Sequence, residues 1–169
     1  MLYDAVIVGG SFAGLSAALQ LARARRQVIV IDAGRPRNRF AEHSHGVLAQ
    51  DGLAGSDILA TARAQVAAYP TATIVSGEVF SAHILDRKFA VEANGEQIEC
   101  KRLLLATGVV DMLPDIPGLS ERWGKTVATC PFCHGYEIGG GSIGVLATGP
   151  LSVHHASLIA DWGDVLHRW

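Results

Sequence analysis

Residues 130–137 read Cys-Pro-Phe-Cys-His-Gly-Tyr-Glu, and two thiols separated by two residues can close a disulfide across one turn and reopen it. Cys130 and Cys133 are therefore a candidate redox pair, with a helix N-terminus or a flavin as the environment that would hold one of them as thiolate. His134 follows directly, and an imidazole can take up and release protons near neutral pH during thiol exchange. A helix-capping or merely structural imidazole is also open at this position. The same residues form CxxCH, the attachment pattern of c-type haem, and offer three ligands to zinc. Haem would need an export signal and a distal ligand, and the only methionines are Met1 and Met112. Zinc would need a second close Cys or His pair, so no metal site is expected.

A second constellation opens the chain. Residues 4–14 are Asp-Ala-Val-Ile-Val-Gly-Gly-Ser-Phe-Ala-Gly, an apolar strand, a glycine turn and a helix start, which is how a dinucleotide-binding unit begins. The nearly continuous apolar run Tyr3 to Val8 predicts a parallel strand covered on both faces. A helix is expected from Phe12 to Arg25, and Val28 to Ile31 returns as the next strand. Asp32 ends that strand 18 residues after Gly14, where a carboxylate can accept hydrogen bonds from ribose hydroxyls. The GxGxxG frame falls on Gly9, Ser11 and Gly14, with Gly10 as an extra glycine. Serine suits the middle place only if its φ stays negative, because the backbone must approach phosphate there. Arg102 to Ala106 is a further apolar strand, and Ala106-Thr107-Gly108 lies at the strand edge where such sheets bind ligands through backbone groups. A phosphate-free βαβ unit with packing glycines is the bland alternative. Taken with the thiols, the pattern suggests electron transfer between a flavin and a dithiol.

The intervening elements must carry these groups. Ser56 is expected to cap a helix from Asp57 to Tyr69, which Pro70 stops. Alternating runs over Ile74–Leu85, Phe89–Glu92 and Gln97–Lys101, with an Asn94-Gly95 turn, predict a small inserted antiparallel meander. Cys100 falls in its last strand and reads as an inert buried thiol. Arg35, Arg37 and Arg39 suit either phosphate oxygens or a solvated basic loop. His43, His45 and the Asp51-Gly52 turn lie in an irregular stretch, on the surface or against a flavin. Leu113-Pro-Asp-Ile-Pro-Gly-Leu reads as a linker toward another domain. Beyond the thiols, Ser142–Ala147 is an expected strand, Ser152–Trp162 a helix and Val165–His167 the start of another strand. The GxGxxG frame there falls on Ala147, Gly149 and Ser152, which puts nicotinamide binding in question, and Arg168 is a candidate for a 2′-phosphate.

Composition limits the alternatives. In 169 residues, 49% hydrophobic and 18% charged content with a formal net charge of -2 argue against disorder and against a nucleic-acid partner. Three cysteines cannot build a disulfide framework, which favours a cytoplasmic redox pair. The apolar N-terminus lacks a basic leader and carries Asp4 and glycines, so it is not expected to be an export signal. No uninterrupted apolar run is long enough to span a membrane.

Five segments together resemble the low-molecular-weight thioredoxin reductase superfamily. They are Gly9-Gly-Ser-Phe-Ala-Gly-Leu-Ser-Ala-Ala, Ile31-Asp-Ala-Gly-Arg-Pro-Arg-Asn, Ala106-Thr-Gly, Leu113-Pro-Asp-Ile-Pro-Gly and Cys130-Pro-Phe-Cys-His-Gly-Tyr-Glu. The chain is most similar to the thioredoxin reductase-like branch that includes bacterial FAD-dependent oxidoreductases and fungal dithiol oxidases of gliotoxin type. That resemblance implies an α/β fold: a Rossmann-like three-layer FAD-binding domain over residues 1–115, with the inserted meander, then the start of a second, pyridine-nucleotide domain over 116–169. It implies FAD and NADPH as cofactors. Cys133 would face the flavin and Cys130 would attack the substrate disulfide. Thioredoxin reductases carry aspartate after the second cysteine where this chain has His134, so proton transfer differs and the substrate is a small dithiol or disulfide or a thioredoxin-like protein. The family pattern continues with the rest of the nicotinamide domain and a return segment that completes the FAD site. The chain is thus expected to be an N-terminal fragment or a truncated gene product of a protein that is a homodimer at full length.

Overall fold

The computed structural model describes residues 1–168, with side chains described through Asp164, and the chain falls into two compact units. One comprises Met1–Arg39 and Ser56–Asp111, the other Phe40–Gly55 and the residues from Met112 onward.

The first unit has the elements β1 (Leu2–Tyr3), β2 (Ala5–Val8), α1 (Phe12–Arg23), β3 (Val28–Asp32) and a single 3-10 turn starting at Arg37. There follow α2 (Gly55–Ala67), β4 (Ala72–Ser76), β5 (Val79–Leu85), β6 (Lys88–Ala93), β7 (Glu96–Cys100) and β8 (Leu103–Leu105). A parallel sheet runs in the order β4-β3-β2-β8, and a second sheet runs β1-β7-β6-β5. Side chains alternate across the parallel strands, so Val6, Ile29 and Ile31 face the meander residues Val91, Ala93 and Cys100. Ile7 and Val30 face the other way, against Leu15 and Ala18 of α1 and Leu59 and Val66 of α2. The result is three layers: meander, parallel sheet and helices. Val6, Ile7, Val28, Val30 and Ile31 are at most 1% exposed, and burying each such side chain stabilises the unit by about 1.5–3 kcal/mol.

Several boundaries differ from the sequence expectation for local reasons. The run Tyr3–Val8 breaks at Asp4, whose carboxylate accepts the Gln27 N–H at 2.9 Å and Lys101 Nζ at 2.8 Å. Leu2–Tyr3 consequently joins the meander sheet, parallel to β7, which makes that sheet mixed. The run Ile74–Leu85 divides at Gly77: β4 extends the parallel sheet and only β5 belongs to the meander. The Asn94 amide fills the space beside Gly77 and donates to the Ser76 carbonyl at 2.9 Å, which fixes that corner. Helix α1 stops at Arg23 because Arg25 adopts φ +59°, with Arg25 N–H donating to Ala22 O and Arg26 N–H to Leu21 O in the Schellman pattern. Ser56 is not the cap of α2: it lies inside the helix, its hydroxyl 3.5 Å from Asp57 Oδ1.

The second unit contains α3 (Leu119–Arg122), α4 (Pro131–Ile138), β9 (Ser142–Val145), α5 (Ser152–Ile159) and β10 (Asp164–Arg168). Strand β10 pairs parallel to β9 across α5, the opening of a second βαβ unit. The side chain proposed for a 2′-phosphate, Arg168, lies outside the residues whose side chains are described.

Candidate functional site

In the first unit, the turn from β2 into α1 lies at the C-terminal edge of the parallel sheet, with β3 on one side of β2 and β8 on the other. Gly9 takes φ +107°, a conformation open to glycine, and its N–H donates to Ile31 O at 2.8 Å. A β-carbon on Gly9 would sit 2.3 Å from the Ala106 carbonyl oxygen, and one on Gly14 would sit 1.8 Å from the Gly9 carbonyl oxygen. The turn is thus packed backbone on backbone, and Ala106 from the end of β8 helps to close it. Ser11 has φ -102°, within the condition set for a serine at the middle position, and its side chain makes no capping hydrogen bond.

Asp32, at the end of β3, has a side chain 13% exposed and lies over Gly10. Its Oδ1 accepts the Gly10 N–H at 3.1 Å, and its Oδ2 pairs with the guanidinium of Arg63 from α2. Strand and turn are locked together by this carboxylate, which still has lone pairs for a ribose hydroxyl. Arg63 carries no signal in the sequence: it stands 31 positions from Asp32, and no local pattern links them. The backbone cradle, the helix N-terminus and the carboxylate are the groups an adenosine pyrophosphate needs, so the residues present fit the first half of an FAD molecule. Thr107 and Gly108 follow β8 and are exposed, Gly108 at φ +66° with open space beside it.

The three arginines after β3 are turned to carboxylates and a carbonyl. Arg37 grips Asp111 through Nε at 2.8 Å and a terminal nitrogen at 2.5 Å, and this pairing holds the Asp111 carboxyl below its ordinary range. Arg35 pairs with Glu78 on an exposed surface, where such a bridge adds little, and Arg39 donates to the Pro36 carbonyl.

In the second unit, Cys130 is the N-cap residue of α4, Pro131 occupies its first turn, and Cys133 is exposed one turn on. The Cys133 and His134 N–H groups both donate to the Cys130 carbonyl at 3.3 Å, so the helix start itself sets the spacing of the two thiols. Both ring nitrogens of His134 are buried and lack a hydrogen-bond partner, an orphaned imidazole directly beside Cys133. Trp162 lies against the same helix, its ring edge-on to Phe132 with centroids 5.1 Å apart. A β-carbon on Gly135 would be 2.4 Å from Trp162 Cδ1, which accounts for the glycine in the motif. His45 bridges the Phe40–Gly55 segment to α4, with Nδ1 3.4 Å from Glu137 and 3.5 Å from Asp51. Neither Trp162 nor His45 could be tied to the thiols from spacing, since both contacts are tertiary. Cys100 stands apart, wholly buried in the meander core of the first unit, and burial pushes its thiol up. Among the described residues, no group of three or more His, Cys, Asp or Glu side chains is placed to hold a metal ion, and no helix is long and apolar enough to cross a membrane.

Comparison with known proteins gives a consistent set of likenesses. A family model described as pyridine nucleotide-disulphide oxidoreductase matches residues 3–165. The chain is 43% identical over 155 residues to the thioredoxin reductase tcpT of Claviceps purpurea, a match covering 89% of this chain and 48% of that protein. It is 53% identical to an oxidoreductase of known structure from Agrobacterium tumefaciens, with a TM-score of 0.92 over 96% of this chain and 56% of that one. The crystal structure of HlmI is 43% identical with a TM-score of 0.86, over 96% of this chain and 53% of that one. The chain spans about half the length of each of these relatives.

Proposed function

Because the chain belongs to the pyridine nucleotide-disulphide oxidoreductase family, we propose that it is the N-terminal part of a thioredoxin reductase-like, FAD-dependent disulfide oxidoreductase acting through Cys130 and Cys133. The observation that carries this reading is the start of α4, where Cys130 stands at the N-cap position, Cys133 is exposed within the first turn, and the next residue, His134, has an orphaned imidazole. In this reading residues 1–115 form the FAD domain and 116–169 begin the second domain. Gly9, Gly10, Ser11, Gly14, Asp32, Ala106, Thr107 and Gly108 would hold the dinucleotide, with Arg63 orienting Asp32.

Bound FAD supplies a carrier for two electrons. The protein's own groups do the sulfur chemistry. In the reductive direction, the Cys130 thiolate attacks one sulfur of the substrate disulfide and expels the other, and His134 provides the proton that the leaving sulfur takes up. Cys133 then attacks Cys130, which releases the substrate as dithiol and leaves Cys130 and Cys133 joined. The oxidative direction runs the same bonds backwards. NADPH-driven reduction of a disulfide and dioxygen-driven oxidation of a dithiol are the two uses open to this core. The substrate is a small dithiol or disulfide or a thioredoxin-like protein, and the working form is a cytoplasmic homodimer of the longer protein.

The visible spectrum of the purified protein is the primary test. A yellow preparation whose flavin absorbance bleaches with a dithiol or with NADPH is expected. A colourless protein that still opens and closes its thiol pair would make the chain a redox module without turnover. In the full-length protein, Cys130→Ser and Cys133→Ser should each abolish disulfide turnover, and the double variant should lose no more, since the two thiols act as a unit. Full turnover in either single variant would refute the mechanism.

A further inference from the structure

The two glycine frames of this chain are built differently, and the difference falls on the groups that hold phosphate. The first frame is Gly9, Ser11, Gly14; the second is Ala147, Gly149, Ser152. At Gly14 no side chain fits, because the Gly9 carbonyl oxygen occupies the place. At the corresponding Ser152 a side chain is present and only 9% exposed. Its Oγ accepts the Thr148 N–H at 3.0 Å and the Gly149 N–H at 3.3 Å. The next residue, Pro150, has no N–H to give. In the first turn the matching places are Ser11 and Phe12, both with N–H groups, and the Ser11 side chain caps nothing.

A dinucleotide is held at such a turn by backbone N–H groups around the middle position and the helix start. In the second turn the middle N–H, that of Gly149, is already given to Ser152, and the donor after it is missing. The Ser152 hydroxyl thus takes the part that a phosphate oxygen would play. We propose that Pro150 and Ser152 make this turn self-satisfied, so that it rejects the pyrophosphate of NADPH and NADH. The inference deepens the proposed function by naming the electron carrier that the second βαβ unit excludes, which leaves the oxidative direction for the thiol pair.

Calorimetric titration with NADPH and with NADH tests it on the wild-type chain and on Ser152→Gly combined with Pro150→Ala. The wild type should show no saturable binding at millimolar nucleotide, and the double variant should gain roughly tenfold or more in affinity as its three donors are restored. A wild type that binds as tightly as the double variant overturns the proposal, and so does a folded double variant with no gain. Should the double variant fail to fold, amide spectra of isotope-labelled wild type decide. On adding inorganic pyrophosphate or NADPH, the Thr148 and Gly149 resonances should stay in place, and a saturable shift at Gly149 refutes the idea. FAD titration of the same wild-type sample separates the two readings: failure to bind FAD sinks the proposed function but leaves this inference standing.

Discussion

Replacing Gly14 by alanine tests whether the first turn is as closed as its geometry requires. The added methyl would lie 1.8 Å from Gly9 O, 3.0 Å from Gly9 C and 3.3 Å from Ile7 Cγ2. The obstacle is backbone, so no rotamer change relieves it. Gly9 cannot retreat either, since its N–H is bonded to Ile31 O and the Ala106 carbonyl packs on its far side. Helix α1 must therefore lift from the sheet by more than an ångström, loosening Leu15 and Ala18, which are buried against Ile7 and Val30. Overpacking of this kind costs about 1–3 kcal/mol, and an immovable partner puts the cost near the upper end. The better helix propensity of alanine returns about 1 kcal/mol, so a net loss of about 2 kcal/mol is expected, a sizeable share of a typical domain's stability. Gly149→Ala is the matched control: nothing lies within 4 Å of the methyl it would add, and the change should stay within about 0.5 kcal/mol. Urea denaturation followed by circular dichroism measures both, and FAD fluorescence titration of Gly14→Ala should show at least about a tenfold loss of affinity. Equal stability of Gly14→Ala and Gly149→Ala would show that the turn relaxes freely and that the cradle is not closed.

Three other outcomes follow from the same geometry. Gly135→Ala drives a methyl into Trp162, 2.4 Å from Cδ1, and should cost about 1–3 kcal/mol with a weakened near-ultraviolet dichroism; an unchanged spectrum would mean the indole is not packed on α4. Asp111 is depressed by Arg37, so the stability this pair contributes is complete above the ordinary aspartate value and is lost as pH falls through the lower folded value. Arg37→Met should therefore flatten the acid limb of the stability profile below about pH 4, and profiles of equal slope would contradict the pairing. Cys100, buried and with its thiol pushed up, should resist iodoacetamide in the native state while Cys133 is labelled; equal rates by peptide mass analysis would place Cys100 at the surface.

Much of the first unit is legible in the chain because its signals are local. A short β-branched run such as Val28–Ile31 favours a strand covered on both faces, which is what β3 is, and Asn94-Gly95 takes positive φ at both residues, the turn those residues favour. Asp32 is placed at the end of β3 by simple counting. What escapes the sequence depends on side chains from distant positions. The apolar alternation continues across Gly77, so nothing in the pattern says that β4 and β5 enter different sheets; the Asn94 amide packed at that corner decides it. The grouping of Phe40–Gly55 with the second unit rests on contacts such as His45 with Glu137, which no spacing rule connects.

The two serines that interrupt the glycine frames make the limit concrete. As letters, Ser11 and Ser152 each put a serine where the GxGxxG frame has a glycine, Ser11 at its middle place and Ser152 at its third. At Ser11 the backbone keeps φ at -102° and the hydroxyl makes no capping bond, so the substitution leaves the turn's donors as a glycine would. At Ser152 the hydroxyl turns back on Thr148 and Gly149 and consumes the donors that define the motif. The first position tolerates a hydroxyl because helix and turn touch through Gly14, which leaves Ser11 at the rim. The second places the hydroxyl at the helix–turn contact itself, where it accepts the Thr148 and Gly149 N–H groups. A motif mismatch therefore predicts loss of binding only where the new atoms can reach the donors, and in this chain that condition separates the turn proposed to hold a flavin nucleotide from the turn proposed to refuse a pyridine one.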